Sequence, residues 1–341
     1  RMDFSLSPKA TEYAAKLQAF MDNEVFPAEA TYHRQREEFY KAGTPHKLPP
    51  IVEELKKKAR AQGLWNLFLP HLDHGLNVTD YATLAEITGW SPDIAPEAIN
   101  CAAPDTGNME LLDMFGTAEQ KKQWLEPLLN GEIRSGFAMT EPDVASSDAR
   151  NIRTSIKKDG DNYIINGTKT WISNGIHGTC FALLVKTDSS ADPAHKGMSC
   201  FIAEKGPGFT VSKKLEKLGY KGIDSAELIF QDYKIHASKL IGAKEGRGLQ
   251  TALGGLELGR INVAARGCGI AGAALMDAVK YAQIRHTFGK PIAEHQAIQL
   301  KLGEMATRLQ AARLLTYDAA RIYDKGERCD MEAGMAKYFA S

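Results

Sequence analysis

The stretch Gly136–Asp148, GFAMTEPDVASSD, decides how this chain reads. Phe137, Ala138 and Met139 form a short apolar run. Thr140-Glu141-Pro142 breaks it, and Ala145-Ser146-Ser147-Asp148 follows with small hydroxyl-bearing and acidic side chains. Pro142 has no N–H for a ladder hydrogen bond, so strand pairing is expected to stop there. The segment reads as a strand that ends abruptly and becomes a wall of backbone amides and hydroxyls able to face a bound group. Local turn chemistry also allows an ordinary polar turn.

The hydrophobic period changes on both sides of this stretch. Before it, Ser7-Pro8 supplies an N-cap and a first-turn proline, and Tyr13, Leu17 and Phe20 recur on one helical face. Pro27 is expected to mark the exit from that helix. Ile51, Leu55 and Ala59 make a second stripe that closes at Gly63. Thr117 to Gln120 fits a capping box. After it, the period becomes two: Ile152–Ile156 and Tyr163–Ile165 flank Asp159-Gly160, a hairpin signal, and Asn166-Gly167 supplies a second. Phe181–Val185, Ser199–Ile202 and Ala226–Phe230 read as further strands. From about residue 245 helix returns, in a long segment expected to stop at Gly289-Lys290-Pro291. A second helix beginning near His295 carries the seam Ile298, Leu302, Met305, Leu309, Ala312, Leu315, Ala319, Ile322. The expected fold is α+β and multidomain: an N-terminal helical domain over 1–135, a middle antiparallel β-barrel or sandwich over 136–240, and a C-terminal helical bundle over 241–341.

The 341 residues balance 42 Lys and Arg against 42 Asp and Glu, so the chain lacks the basic excess of a nucleic-acid binder. Cys101, Cys180, Cys200, Cys268 and Cys329 are scattered and odd in number. They suggest neither a disulfide framework nor a zinc site, and fit a reducing compartment. His71 and His74 around Asp73 read as a solvated loop rather than a metal site. No apolar run approaches the ~20 residues of a membrane helix, and the opening Arg1-Met2-Asp3-Phe4 lacks the apolar core of a secretory signal.

Two further segments, Lys169-Thr170-Trp171-Ile172-Ser173-Asn174-Gly175 and Arg285-His286-Thr287-Phe288-Gly289-Lys290-Pro291 with Glu294-His295-Gln296 behind it, join the first stretch. In this order and spacing they resemble the acyl-CoA dehydrogenase family along nearly the whole chain. The resemblance implies α,β-dehydrogenation of an acyl-CoA thioester to the trans-2-enoyl product. A carboxylate takes the α-proton and the β-hydrogen leaves as hydride to N5 of FAD, with electrons passed to an electron-transfer flavoprotein. No GxGxxG opens a helix after a strand, so a Rossmann-type site is not expected.

By that resemblance Phe137, Met139 and Thr140 lie along the isoalloxazine ring, and Trp171 and Ser173 pack on it and bond to it. For Trp171 the alternative is a buried core indole. Arg285 and Phe288, with Gln296 nearby, are expected to hold the pyrophosphate and adenine end for a neighbouring subunit of a homotetramer, a dimer of dimers. A guanidinium fork suits pyrophosphate, while Arg285 also fits a cation complementing a helix C-terminus. Ser147 is expected on the pantetheine arm of the substrate, with Ser146 able to exchange roles with it. Arg260 is expected on the helix facing that arm, with Glu257 a flanking or surface carboxylate. The family places its base either in a C-terminal loop or on the helix just before Arg260. Gly259 occupies the latter position, so the base is expected beyond Ser341 and the C-terminal bundle is expected to be incomplete here. An acyl-CoA oxidase and a non-catalytic FAD- or acyl-CoA-binding subunit are the alternatives. A bacterial cytoplasmic location is expected, or else a mitochondrial matrix or peroxisomal one.

Overall fold

The computed structural model describes residues 3–341; Arg1 and Met2 of the opening tetrapeptide lie outside the described residues. The α-helices are α1 Pro8–Phe20, α2 Phe26–Lys41, α3 Pro50–Ala61, α4 Val78–Thr88, α5 Ala95–Ala98, α6 Asp105–Phe115, α7 Ala118–Gln120, α8 Glu126–Leu129, α9 Gly248–Gly254, α10 Leu256–Ile284, α11 Gln296–Asp324 and α12 Asp330–Ala340. The strands are β1 Ser135–Ala138, β2 Ser155–Asp159, β3 Asn162–Ser173, β4 Cys180–Lys186, β5 Met198–Glu204, β6 Phe209–Lys214, β7 Ser225–His236, β8 His286–Thr287 and β9 Lys290–Pro291. Helix, then sheet, then helix is the expected order.

The chain forms two compact units. The first comprises the chain through Gln35, Pro49–Cys101 and Glu257–Ser341; the second comprises Arg36–Leu48 and Ala102–Leu256. In the first unit, α4 packs on α1 and α11, and α12 packs on α11. Ser7 caps α1, its hydroxyl accepting from the Ala10 N–H at 3.0 Å. Pro27 does not end a helix. A π-helical turn, Met21–Val25, precedes α2, and the Phe26 N–H bonds the Met21 carbonyl. The widened turn accommodates the N–H that Pro27 lacks, so the helix runs through it. The same arrangement recurs in the second unit, where the π-turn Lys121–Leu125 precedes Pro127. The long C-terminal segment stops at Ile284 rather than at Gly289, because His286–Pro291 closes into a β8–β9 hairpin. The seam of α11 is buried at Leu309, Ala312 and Ala319, whereas Met305 is exposed.

The second unit is built on one seven-stranded sheet, ordered β1-β4-β2-β3-β7-β6, with β5 also paired to β4. The sheet is mixed: β1 and β2 run parallel to β4, and the remaining pairings are antiparallel. Its core is aromatic, with Phe209 4.7 Å from Phe230 and 5.8 Å from Tyr233, and Tyr163 5.1 Å from Phe201. Asp159-Gly160 makes the expected turn, with Gly160 at φ +61°. Asn166-Gly167 does not: β3 continues through it as a bulge between Ile165 and Gly167, still paired to β7. An Asn-Gly pair signals a hairpin only when its flanks pair with each other.

Candidate functional site

The start of β1 is fixed by buried polar side chains from α6. Asp105 Oδ1 accepts from the Ser135 N–H at 2.6 Å and its hydroxyl at 2.7 Å. Asn108 Nδ2 donates to Ser135 Oγ and to the Gly136 carbonyl, and Asn174 Nδ2 donates to the Ser135 carbonyl. Gly136 has no room for a side chain, since a methyl there would stand 2.5 Å from the Phe181 ring. β1 ends at Ala138, ahead of Pro142.

Beyond that end Thr140 runs beside β3, its carbonyl accepting from the Thr170 N–H at 2.8 Å. Its hydroxyl lies 3.1 Å from that of Ser146, on an exposed surface. Phe137 and Met139 are half-buried, and Ser147 is exposed. Strand alternation places residues 169 and 171 on one face, yet Lys169 is fully buried and Trp171 is 56% exposed. The cause is a second bulge in β3, between Lys169 and Ile172, with Trp171 at φ +59°. Left-handed backbone at a non-glycine residue costs energy and clusters at working sites. Trp171 is therefore not the core indole that composition alone allowed. Ser173 closes β3 opposite Ser225.

Sequence reading missed the polar cluster beneath this surface. Lys169 Nζ is 2.8 Å from Glu141 Oε1 and 3.0 Å from the Met139 carbonyl. Glu141 also accepts from the Thr154 hydroxyl at 2.7 Å and from the Thr154 and Arg153 N–H groups. Burial pushes the Glu141 carboxyl up, but the Lys169 ammonium and these donors outweigh it and hold it below the ordinary range. Burial brings Lys169 down to about 8, against the pull of Glu141. The available signal was a lysine inside a strand, between Thr168 and Thr170, together with the one glutamate of the broken stretch.

Arg285, Phe288 and Gln296 belong to the other compact unit and are exposed. Phe288 and Gly289 form the two-residue loop of the β8–β9 hairpin, both with positive φ, and the Phe288 ring is 96% exposed. Thr287 Oγ1 and His295 Nε2 tie its base at 3.0 Å. In the same unit, Glu257, Gly259 and Arg260 lie in the first turns of α10. Glu257 is half-buried and accepts from the Cys329 thiol at 3.7 Å, and a side chain at Gly259 would meet open space.

Three consecutive domain families match this chain: the acyl-CoA dehydrogenase N-terminal domain over residues 7–132, its middle domain over 136–233 and its C-terminal domain over 246–341. The chain is 44% identical over 95% of its length to "Probable acyl-CoA dehydrogenase FadE2" of Mycobacterium tuberculosis, covering 79% of that protein. It is 43% identical over 94% of its length to "Acyl-CoA dehydrogenase family member 11" of Gallus gallus, spanning 42% of that longer chain. Among solved structures, the butyryl-CoA dehydrogenase of Megasphaera elsdenii superposes with a TM-score of 0.83 at 31% identity, covering 99% of this chain and 85% of that one. The chain belongs to the acyl-CoA dehydrogenase family.

Proposed function

We propose that the protein dehydrogenates an acyl-CoA thioester to the trans-2-enoyl-CoA with FAD as cofactor and passes the electrons to an electron-transfer flavoprotein. The observation that carries this reading is the surface at the end of β1. There the paired Thr140 and Ser146 hydroxyls and the exposed Trp171 indole stand on adjacent stretches of chain. An indole face with hydroxyls beside it fits a flat heterocycle that is apolar on its faces and polar at its edge. FAD, when bound, supplies the hydride acceptor. Phe137, Met139 and Trp171 would shield the ring from water, while Thr140 and Ser173 would bond to it. Ser147, or its neighbour Ser146, would take the pantetheine arm together with Arg260. Arg285, Phe288 and Gln296 would serve the pyrophosphate and adenine end in a homotetramer; the hairpin-tip exposure of Phe288 supports that role.

The α-proton needs a carboxylate, and preorganised donors must stabilise the developing enolate. Gly259 offers no side chain and Glu257 is engaged by the Cys329 thiol. By the family resemblance we place the base on a carboxylate other than Glu257. Five buried free cysteines fit the cytoplasmic location included in this reading.

The test is a titration with FAD followed by addition of acyl-CoA, monitored in the visible band under anaerobic conditions. A flavin complex that acyl-CoA bleaches supports the reading; no flavin binding overturns it. Hydrogen peroxide as the main product under air would instead indicate an oxidase. For the base, Glu257→Gln should retain turnover, and loss of turnover with unchanged FAD affinity would move the base to Glu257.

A further inference from the structure

We propose that the buried Lys169–Glu141 pair is a positioning device for the cofactor wall, setting the backbone of Met139 and Thr140 against β3. This rests on the flavin reading of that wall. Neither side chain reaches the exposed surface: Lys169 is 0% exposed and Glu141 6%.

The connectivity is specific. The Lys169 ammonium bridges the Met139 carbonyl, at 3.0 Å, and Glu141 Oε1, at 2.8 Å, and so spans Thr140 from behind. On the next residue of β3, the Thr170 N–H takes the Thr140 carbonyl at 2.8 Å. Two successive residues of β3 thus grip three successive residues of the segment leaving β1. The ladder pairing of β1 has already ended at Ala138, so ladder hydrogen bonds no longer fix the chain. Glu141 is anchored in turn on the segment entering β2, by the Thr154 hydroxyl at 2.7 Å and N–H at 3.0 Å and by the Arg153 N–H at 2.7 Å. Gly167 keeps that anchor open, since a methyl there would stand 2.4 Å from Thr154 Oγ1.

A buried ion pair is a poor source of stability, because desolvation of both charges offsets their attraction; its better-attested use is to select one arrangement over others. Here the arrangement selected carries the Thr140 hydroxyl and, two residues beyond Lys169, the re-aimed Trp171. Both would change register with the wall if the bridge were lost.

The experiment measures FAD affinity and the flavin visible spectrum beside the melting temperature of the apoprotein, for the natural protein, Glu141→Gln, Lys169→Met and Thr154→Val. Glu141→Gln keeps the shape and the acceptor oxygen but removes the charge. The expected result is a folded apoprotein whose FAD dissociation constant rises on the order of tenfold, with a shifted flavin band. Thr154→Val, which removes one donor and leaves both charges, should give a smaller loss in the same direction and covers the case in which the charge variants do not fold. Variants that melt lower yet bind FAD with unchanged affinity and spectrum would reduce the pair to a structural role and overturn the proposal. If the natural protein itself binds no FAD, the functional reading fails and the proposal falls with it.

Discussion

Gly89 and Gly269 meet backbone to backbone. A methyl group on Gly269 would stand 1.9 Å from the Glu86 carbonyl oxygen and 2.8 Å from the Gly89 Cα, and one on Gly89 would stand 2.3 Å from the Arg266 carbonyl. The last turn of α4 and the middle of α10 therefore touch without side chains between them. Gly269→Ala has no flexible neighbour to displace, since what it meets is main chain. The expected cost is about 1–3 kcal/mol or more, read as a lower denaturation midpoint at unchanged m-value. A variant as stable as the natural protein would show that α10 slides freely along α4.

Glu110 gives a pH prediction. It is 1% exposed on α6, and among the described residues neither carboxyl oxygen has a hydrogen-bond partner. Burial raises its pKa well above the ordinary 4.5. The folded state then keeps a proton that the unfolded chain releases. Its favourable contribution is fully present below the unfolded value and is lost as pH rises toward the folded one. Glu110→Gln removes this slope while keeping the shape. The melting-temperature gain of the variant should be near zero below the ordinary carboxylate range and grow as pH rises above it. A gain independent of pH would contradict a protonated Glu110.

Gln120 holds together two stretches of the second unit. Its Nε2 donates to the Ser238 and Leu240 carbonyls at 2.9 and 2.7 Å, and its Oε1 accepts from the N–H groups of Thr117 and Gly242. Replacement by Leu preserves volume and strands buried partners. Gln120→Leu should cost about 2–4 kcal/mol in chemical denaturation. Thr117→Ala, which removes only the hydroxyl of the capping box, should cost about 1 kcal/mol.

On the proposed flavin surface, Trp171 and Thr140 should separate in their effects. Trp171→Ala removes an exposed ring and should leave the apoprotein melting temperature nearly unchanged while weakening FAD binding by on the order of tenfold. Thr140→Val keeps the shape and removes only a hydroxyl that already pairs with Ser146, so its effect on FAD affinity should be smaller, within about tenfold. A large stability loss for Trp171→Ala would show that the ring is structural after all.

Much of the fold was legible because its signals are local. Ser7-Pro8, Thr117 with Gln120 and Asp159-Gly160 each act within a few residues, and each appears where the sequence puts it. The Thr140–Trp171 surface was legible as two motifs. Four features were decided by tertiary structure. Pro27 and Asn166-Gly167 carry breaker and turn signals that a π-turn and a bulge absorb, the first because the widened turn accommodates the missing N–H and the second because β3 pairs with β7 through it. Trp171 is exposed and Lys169 buried because a bulge between Lys169 and Ile172 overrides alternation, and a bulge belongs to the pairing of two strands. The convergence of Met139, Glu141, Thr154 and Lys169 on one buried point needs the pairing of β2 with β3 and the end of β1 beside them. The sequence by itself determined the elements and the family to which they belong. Which charges are buried, and which backbone they hold, was decided only when segments distant along the chain met, because burial and hydrogen-bond satisfaction are properties of that meeting.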